Sequence, residues 1–198
     1  ADQYSFVKPM RRVLAYLLVV QAVVAVTYPS FKQCSASWSA VQYAKTPDTI
    51  CKAGSGLTAA AMALAGIGKQ YTPDTLNTWL NAHSGYAGSD VAWGSLGSLG
   101  LSYVGNRDGD LGTVSNANLK AGLDANNVVL VKIASDGHWV LATGYNGDTL
   151  LVNDPSSSAT SYPISAIVAN YSRLFKPSST GAHHLGRLSH KLLRARWL

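Results

Sequence analysis

The chain has 198 residues, 47% of them hydrophobic and only 13% charged, which gives room for one domain with a substantial core. Its ten acidic residues are all Asp, which excludes the Glu/Lys-rich heptads of a long coiled coil, and the apolar content excludes extended disorder. The net charge of +6 belongs to the two ends: residues 26–177 hold nine Lys/Arg and nine Asp, so the middle has no basic stripe for nucleic acid.

At the N-terminal end, Met10-Arg11-Arg12 precedes an apolar run from Val13 to Val26, interrupted by Gln21. Small residues at Val23 and Ala25 complete the pattern of a secretory signal peptide cleaved after Ala25. The run is short for a membrane span of roughly 20 residues; a buried helix and a signal anchor are the alternatives. The nine residues before Met10 are either vector-derived or an upstream extension of the reading frame. An extracellular domain over 26–177 is therefore expected. Residues 178–198 form a basic tail, expected to be disordered. Its leucines also fall at helical spacing, so a membrane-surface or partner contact is the alternative. His183, His184 and His190 in that tail are not expected to bind metal.

Within the middle, residues 56–68 are Ala-rich and apolar on all sides, which predicts a buried helix ending near Gly66 and Gly68. Thr72-Pro73-Asp74 caps a second helix reaching about Asn81. Short helices are expected at 93–99 and 119–125. Strands follow at 128–133, 138–145 and 149–153, with Asn146-Gly147 as a hairpin signal. Helices first and an antiparallel sheet second is an α+β layout.

Cys34 and Cys51 are the only cysteines. In a secreted chain the pair reads as a disulfide; two free thiols are the alternative. Ser55 opens the buried helix, where orphan N–H groups and the helix dipole favour a nucleophile or an oxyanion. Taken alone, Ser55 reads as an N-cap. His138 alone reads as a satisfied core histidine, Asp154 as the cap of an Asn-Asp-Pro turn, and Gln33 as a backbone-bonded side chain.

Several segments taken in chain order carry more. Phe31-Lys-Gln-Cys34 followed by Trp38, Thr49-Ile-Cys-Lys-Ala-Gly-Ser55, the Ala/Met helix and Thr72-Pro73-Asp74 come first. Gly137-His-Trp-Val-Leu-Ala-Thr-Gly-Tyr145 and Val152-Asn-Asp-Pro155 complete the set. From about Phe31 to Tyr171 the chain resembles the C39-like branch of papain-like cysteine peptidases. The resemblance implies a papain-like fold, a peptide or protein substrate and no cofactor. It also implies Gln33 as the oxyanion-hole side chain, His138 as general base and Asp154 as the group orienting the imidazole. Ser55 then looks to stand where the family has its nucleophilic Cys.

A thiol near pKa 8.5 can be drawn down to a thiolate; a hydroxyl cannot. Ser55 therefore acts only if His138 removes its proton during attack, and slow turnover is expected. Three readings stay open: an engineered inactivation, a natural pseudoenzyme and a serine hydrolase. As functions these become a weakly active or inactive peptidase-fold protein, a binding or self-assembling structural protein, and an amidase acting on cell-wall peptides.

Strand parity supplies a check. Pairing 145 with 148 across a regular two-residue turn puts His138 and Asp154 on opposite faces. A three-residue connection, or a bulge with the same effect, pairs 140 with 154 and puts them diagonally adjacent; this second register is the one expected. No zinc spacing, dinucleotide fingerprint, phosphate loop or EF-hand occurs. Asn170-Tyr-Ser172 is an N-glycosylation sequon, meaningful only in a eukaryotic secretory pathway.

Overall fold

The computed structural model describes residues 26–104, 116–134 and 137–178. The signal-peptide expectation and the tail beyond Ser178 lie outside the described residues, as do all three tail histidines and the side chain of Asn170.

Three helices come first: α1 (Ile50–Ala53), α2 (Ser55–Gly66) and α3 (Pro73–Ala82). Thr49 caps α1 by accepting from the Lys52 N–H at 3.3 Å. Every residue of α2 from Ser55 to Leu64 is buried, as its all-round apolar composition requires. At α3, the Thr75 hydroxyl oxygen accepts from the Thr72 N–H at 2.9 Å and Pro73 takes the first position. A two-stranded ribbon of β1 (Tyr86–Ala87) and β2 (Asp90–Val91) follows, then a 3₁₀ segment over Trp93–Leu99.

The remaining elements are β3 (Leu101–Tyr103), α4 (Asn116–Asp124), β4 (Val128–Ile133), β5 (Trp139–Asn146), β6 (Thr149–Asn153), β7 (Ser161–Pro163) and β8 (Ile167–Pro177). β3 to β8 form one antiparallel sheet in the order β3-β8-β4-β5-β6-β7. β4 shows why the sheet is buried on both sides. Val128 and Leu130 join the core built on α2, while Val129, Val131 and Ile133 join a second core with Leu119 of α4, Val140, Leu150 and Val152. A run of Val, Leu and Ile without polar alternation is what two covered faces demand.

The sheet has more strands than expected: β3, β7 and β8 join the three anticipated ones, and β3 precedes α4 and pairs with β8. The short helix expected at 93–99 is present with those bounds as a 3₁₀ helix; glycines at 94, 97 and 100 weaken its α-helical propensity.

The β5–β6 connection is a two-residue turn, Gly147-Asp148, between paired Asn146 and Thr149. Gly147 has φ +57° while Asp148 does not enter positive φ, the pattern of a type II′ turn, one residue later than Asn146-Gly147. The register then shifts between Ala142 and Gly144: Gly144 pairs with Leu151, but Ala142 pairs with Val152 and Leu141 with Asn153. Thr143 is the extra residue. The bulge restores the register that places position 154 opposite position 140, so the effect expected of a longer loop is reached by another device.

Candidate active site

Helix α2 begins at Ser55 because Gly54 separates it from α1. The Gly54 N–H donates to the Ile50 carbonyl at 2.8 Å, and a Cβ on Gly54 would collide with that same carbonyl oxygen. Gly54, not Ser55, is the N-cap. Ser55 is thus the first helical residue, among N–H groups that have no partner within the helix. Its hydroxyl oxygen accepts from the backbone N–H of Trp139 at 3.2 Å. The helix start therefore meets β5 beside His138, and Ser55 itself is only 9% exposed.

His138 and Asp154 lie diagonally across the β5–β6 register and are joined at 2.9 Å, Nε2 to Oδ2. Asp154 is fully buried. Its Oδ1 accepts from the N–H groups of Ser156 (2.7 Å) and Ser157 (3.0 Å). Its Oδ2 also accepts from Ser157 Oγ (2.8 Å) and Tyr162 Oη (2.6 Å). Burial pushes this carboxyl up, but the bonds from His138, Tyr162, the Ser156 N–H and Ser157 outweigh it and hold the group well below the usual carboxylate range. Asp154 therefore caps its turn and holds the imidazole at once. With Nε2 committed to the carboxylate, Nδ1 is the ring nitrogen that would exchange a proton with a nucleophile.

Gln33 enters from a separate segment. Its backbone N–H donates to the Pro155 carbonyl (3.0 Å), its Oε1 accepts from Ser156 Oγ (2.9 Å) and its Nε2 donates to the Cys51 carbonyl (2.6 Å). Cys34 and Cys51 form a disulfide, so the residue after Gln33 is tied to the strand of chain that leads into α2. Lys32 Nζ donates to the carbonyls of Asp154 (2.5 Å) and Ser157 (2.6 Å). The turn 154–157 thus holds the imidazole through Asp154, the Gln33 backbone through Pro155 and the Gln33 side chain through Ser156.

Of the four residues expected from sequence, His138 and Asp154 are bonded directly, Ser55 meets the backbone of the residue after His138, and Gln33 is bonded to the turn that follows Asp154. Sequence reasoning missed Lys32, Ser156, Ser157 and Tyr162. The first three had no signal beyond adjacency to Gln33 and Asp154; Tyr162 had none, because its place depends on β7 pairing with β6. A cleft of about 150 Å³ is lined by Gly56, the residue after Ser55, with Trp93, Trp139, Tyr43 and two carboxylates, Asp48 and Asp90. The indoles of Trp93 and Trp139 are 4.9 Å apart, and a Cβ on Gly56 would lie 3.2 Å from Trp139 Cδ1, so glycine there lets Trp139 close onto the helix. Neither this cleft nor a larger hollow of about 490 Å³ beside the Thr143 bulge is lined by any of the four residues. Among the described residues no group of three or more His, Cys, Asp or Glu side chains is placed to hold a metal ion.

A hydroxyl at a helix start, a carboxylate-held imidazole and a fixed amide donor are the parts that acyl transfer needs. The model of the Peptidase_C39 like family matches residues 27–179. Among solved structures, the chain is similar to a double glycine motif protease from an AMS/PCAT transporter, crystallised in complex with the leader peptide. The two share 16% identity over 78% of this chain and 94% of that one, with a TM-score of 0.50. No curated protein matches the sequence.

Proposed function

The chain belongs to the C39-like peptidase family, and from that premise we propose that it is a secreted papain-like domain whose site, built for peptide-bond hydrolysis, works slowly or not at all with Ser55 as nucleophile. The observation that carries this reading is the bond from the Trp139 N–H to Ser55 Oγ, one residue from the imidazole that Asp154 holds. In the proposed reaction His138 Nδ1 takes the Ser55 proton as Oγ attacks a peptide carbonyl. The developing oxyanion is met by the Gln33 amide and by N–H groups at the start of α2. The protonated imidazole then gives its proton to the leaving amine, and water releases the acyl group by the reverse sequence. Asp154 keeps the ring oriented throughout.

Replacing Ser55 by Cys tests the cleft directly. Treatment of Ser55→Cys with a peptidyl, thiol-directed electrophile is expected to label position 55, and His138→Ala in the same protein to abolish labelling. A folded Ser55→Cys protein that takes no label ends the catalytic reading. Hydrolysis of a peptide library by the unchanged protein, lost in Ser55→Ala, would mark the serine itself as the working nucleophile.

A second reading is a peptide-binding protein without turnover. It is favoured by the aromatic cleft lined by Gly56, Trp93, Trp139 and Tyr43 at the start of α2, and by the similar protease having been crystallised with a leader peptide. Peptide binding that survives Ser55→Ala, with no hydrolysis by either form, selects it. Export after cleavage behind Ala25 is part of the proposal, and N-terminal sequencing of protein recovered outside the cell checks it.

A further inference from the structure

We propose that Tyr162 is a positioning residue that keeps the His138 imidazole neutral by sharing the Asp154 oxygen on which that ring depends. The inference rests on the reading of Ser55 and His138 above and adds the residue that suits the site to a hydroxyl rather than a thiol. A cysteine nucleophile works as a thiolate beside an imidazolium, so its histidine must hold a proton readily. A serine needs the opposite, an imidazole that is unprotonated at working pH and ready to accept.

The geometry supplies the means. Tyr162 Oη reaches Asp154 Oδ2 at 2.6 Å, closer than His138 Nε2 at 2.9 Å on the same oxygen. With Ser157 Oγ also on Oδ2 and two backbone N–H groups on Oδ1, the carboxylate has little acceptor capacity left. Each donor stabilises the anion in its own right and weakens its pull on an imidazolium proton. The phenol is delivered by β7, where Tyr162 pairs with Leu150 of β6, so it does not depend on the dyad for its place. Its ring stands edge-on to the imidazole, with centroids 6.3 Å apart. The other charged groups described around this histidine are Lys32, bonded to the Asp154 carbonyl, and Arg173, whose Cζ is 5.2 Å from the Trp139 ring.

The test is the titration of the His138 ring protons by NMR, assigned with His138→Gln. Tyr162→Phe removes the phenolic donor, and the midpoint is expected to rise by about 0.5–1 pH unit. 3,5-Difluorotyrosine placed at position 162 is a stronger donor on the same scaffold and is expected to lower it; this second probe decides the matter if Tyr162→Phe fails to fold. A midpoint that stays put or falls in folded Tyr162→Phe, or that does not move with the fluorinated ring, overturns the proposal. The same shift is expected in a Ser55→Ala background. A chemically inert Ser55 would therefore overturn the hydrolase reading without touching this one, and an unmoved midpoint would do the reverse.

Discussion

Asp154 reaches His138 across 2.9 Å because Thr143, eleven residues before Asp154, is one residue too many for β5. From the turn up to Gly144 the β5–β6 ladder runs in one register; beyond the bulge it runs one residue displaced. Parity in a strand is strict, so that single shift decides which face Asp154 occupies. Deleting Thr143 is expected to leave a folded sheet with a regular hairpin and to turn Asp154 away from the imidazole. In the Ser55→Cys protein, labelling by a peptidyl electrophile should then fall on the order of 10²-fold or more, the usual cost of losing general-base assistance. Labelling that survives the deletion would show that the bulge does not set the dyad.

Asp154 also sets how the fold responds to acid. Its carboxyl is held below the ordinary range in the folded chain. The stability it contributes is therefore present above the unfolded value, about 3.9, and is lost as pH falls from there through the folded value. Thermal melts between pH 7 and pH 2 are expected to show a steep loss below about pH 4. Asp154→Asn should flatten that limb, because no ionisation remains to be reversed. Asp154→Ala should cost about 3 kcal/mol at neutral pH, since it leaves Tyr162 Oη, Ser157 Oγ and two N–H groups without their acceptor. An acid limb unchanged in Asp154→Asn would move the responsibility to another carboxylate.

The local structure around each candidate residue was legible in the sequence, while the roles of the four came from the resemblance of several segments taken together. Ser55, His138, Asp154 and Gln33 each sit in a segment whose neighbours declare its structure: an Ala-rich helix start, an apolar strand, an Asn-Asp-Pro turn and a cysteine-flanked strand of chain. The strands at 128–133 and 149–153 were equally plain, because both carry Val, Leu and Ile in short runs. What stayed hidden depends on partners far away. β8 carries Ser172 and Arg173 in mid-strand, polar residues that mask its pattern yet are buried between β3 and β4. Tyr162 lies in a three-residue strand with no periodicity to detect. The bulge at Thr143 has no composition signal; only the demand that His138 meet Asp154 pointed to it.

The disulfide stands between these two levels, since it ties the Gln33 segment to the approach of α2. Cys34 and Cys51 are 17 residues apart, and closing such a loop is worth roughly 3 kcal/mol in the unfolded-chain account. For a domain of this size, Cys34→Ser with Cys51→Ser is expected to lower Tm by roughly 6–12 °C. Gln33 Nε2 bonds to the Cys51 carbonyl rather than to the sulfur, so the amide keeps its acceptor only while that backbone stays put. Measured well below Tm in the Ser55→Cys protein, labelling should be slowed more than the lost stability explains. A double variant with lowered Tm and undiminished labelling would confine the bridge to a stabilising role.

Gly54 is the narrowest joint in the site. Its φ of −88° is open to any residue, so conformational freedom is not why glycine stands there; a Cβ would collide with the Ile50 carbonyl oxygen and lie 2.8 Å from Ile50 Cγ2. Relief requires the end of α1 to move away from the start of α2, which carries Ser55. Gly54→Ala is therefore expected to cost about 1–3 kcal/mol, the range for overpacking a tight site, and to lengthen the contact between Ser55 Oγ and the Trp139 N–H. Gly97→Ala makes the control: nothing lies within 4 Å of a Cβ there, and its effect on stability should stay within about 0.5 kcal/mol. Chemical denaturation separates the two costs, and the Trp139 amide shift in an NMR spectrum reports the displacement. Equal stability of the two variants, with the Trp139 amide unmoved in Gly54→Ala, would mean that the joint yields without carrying Ser55 with it.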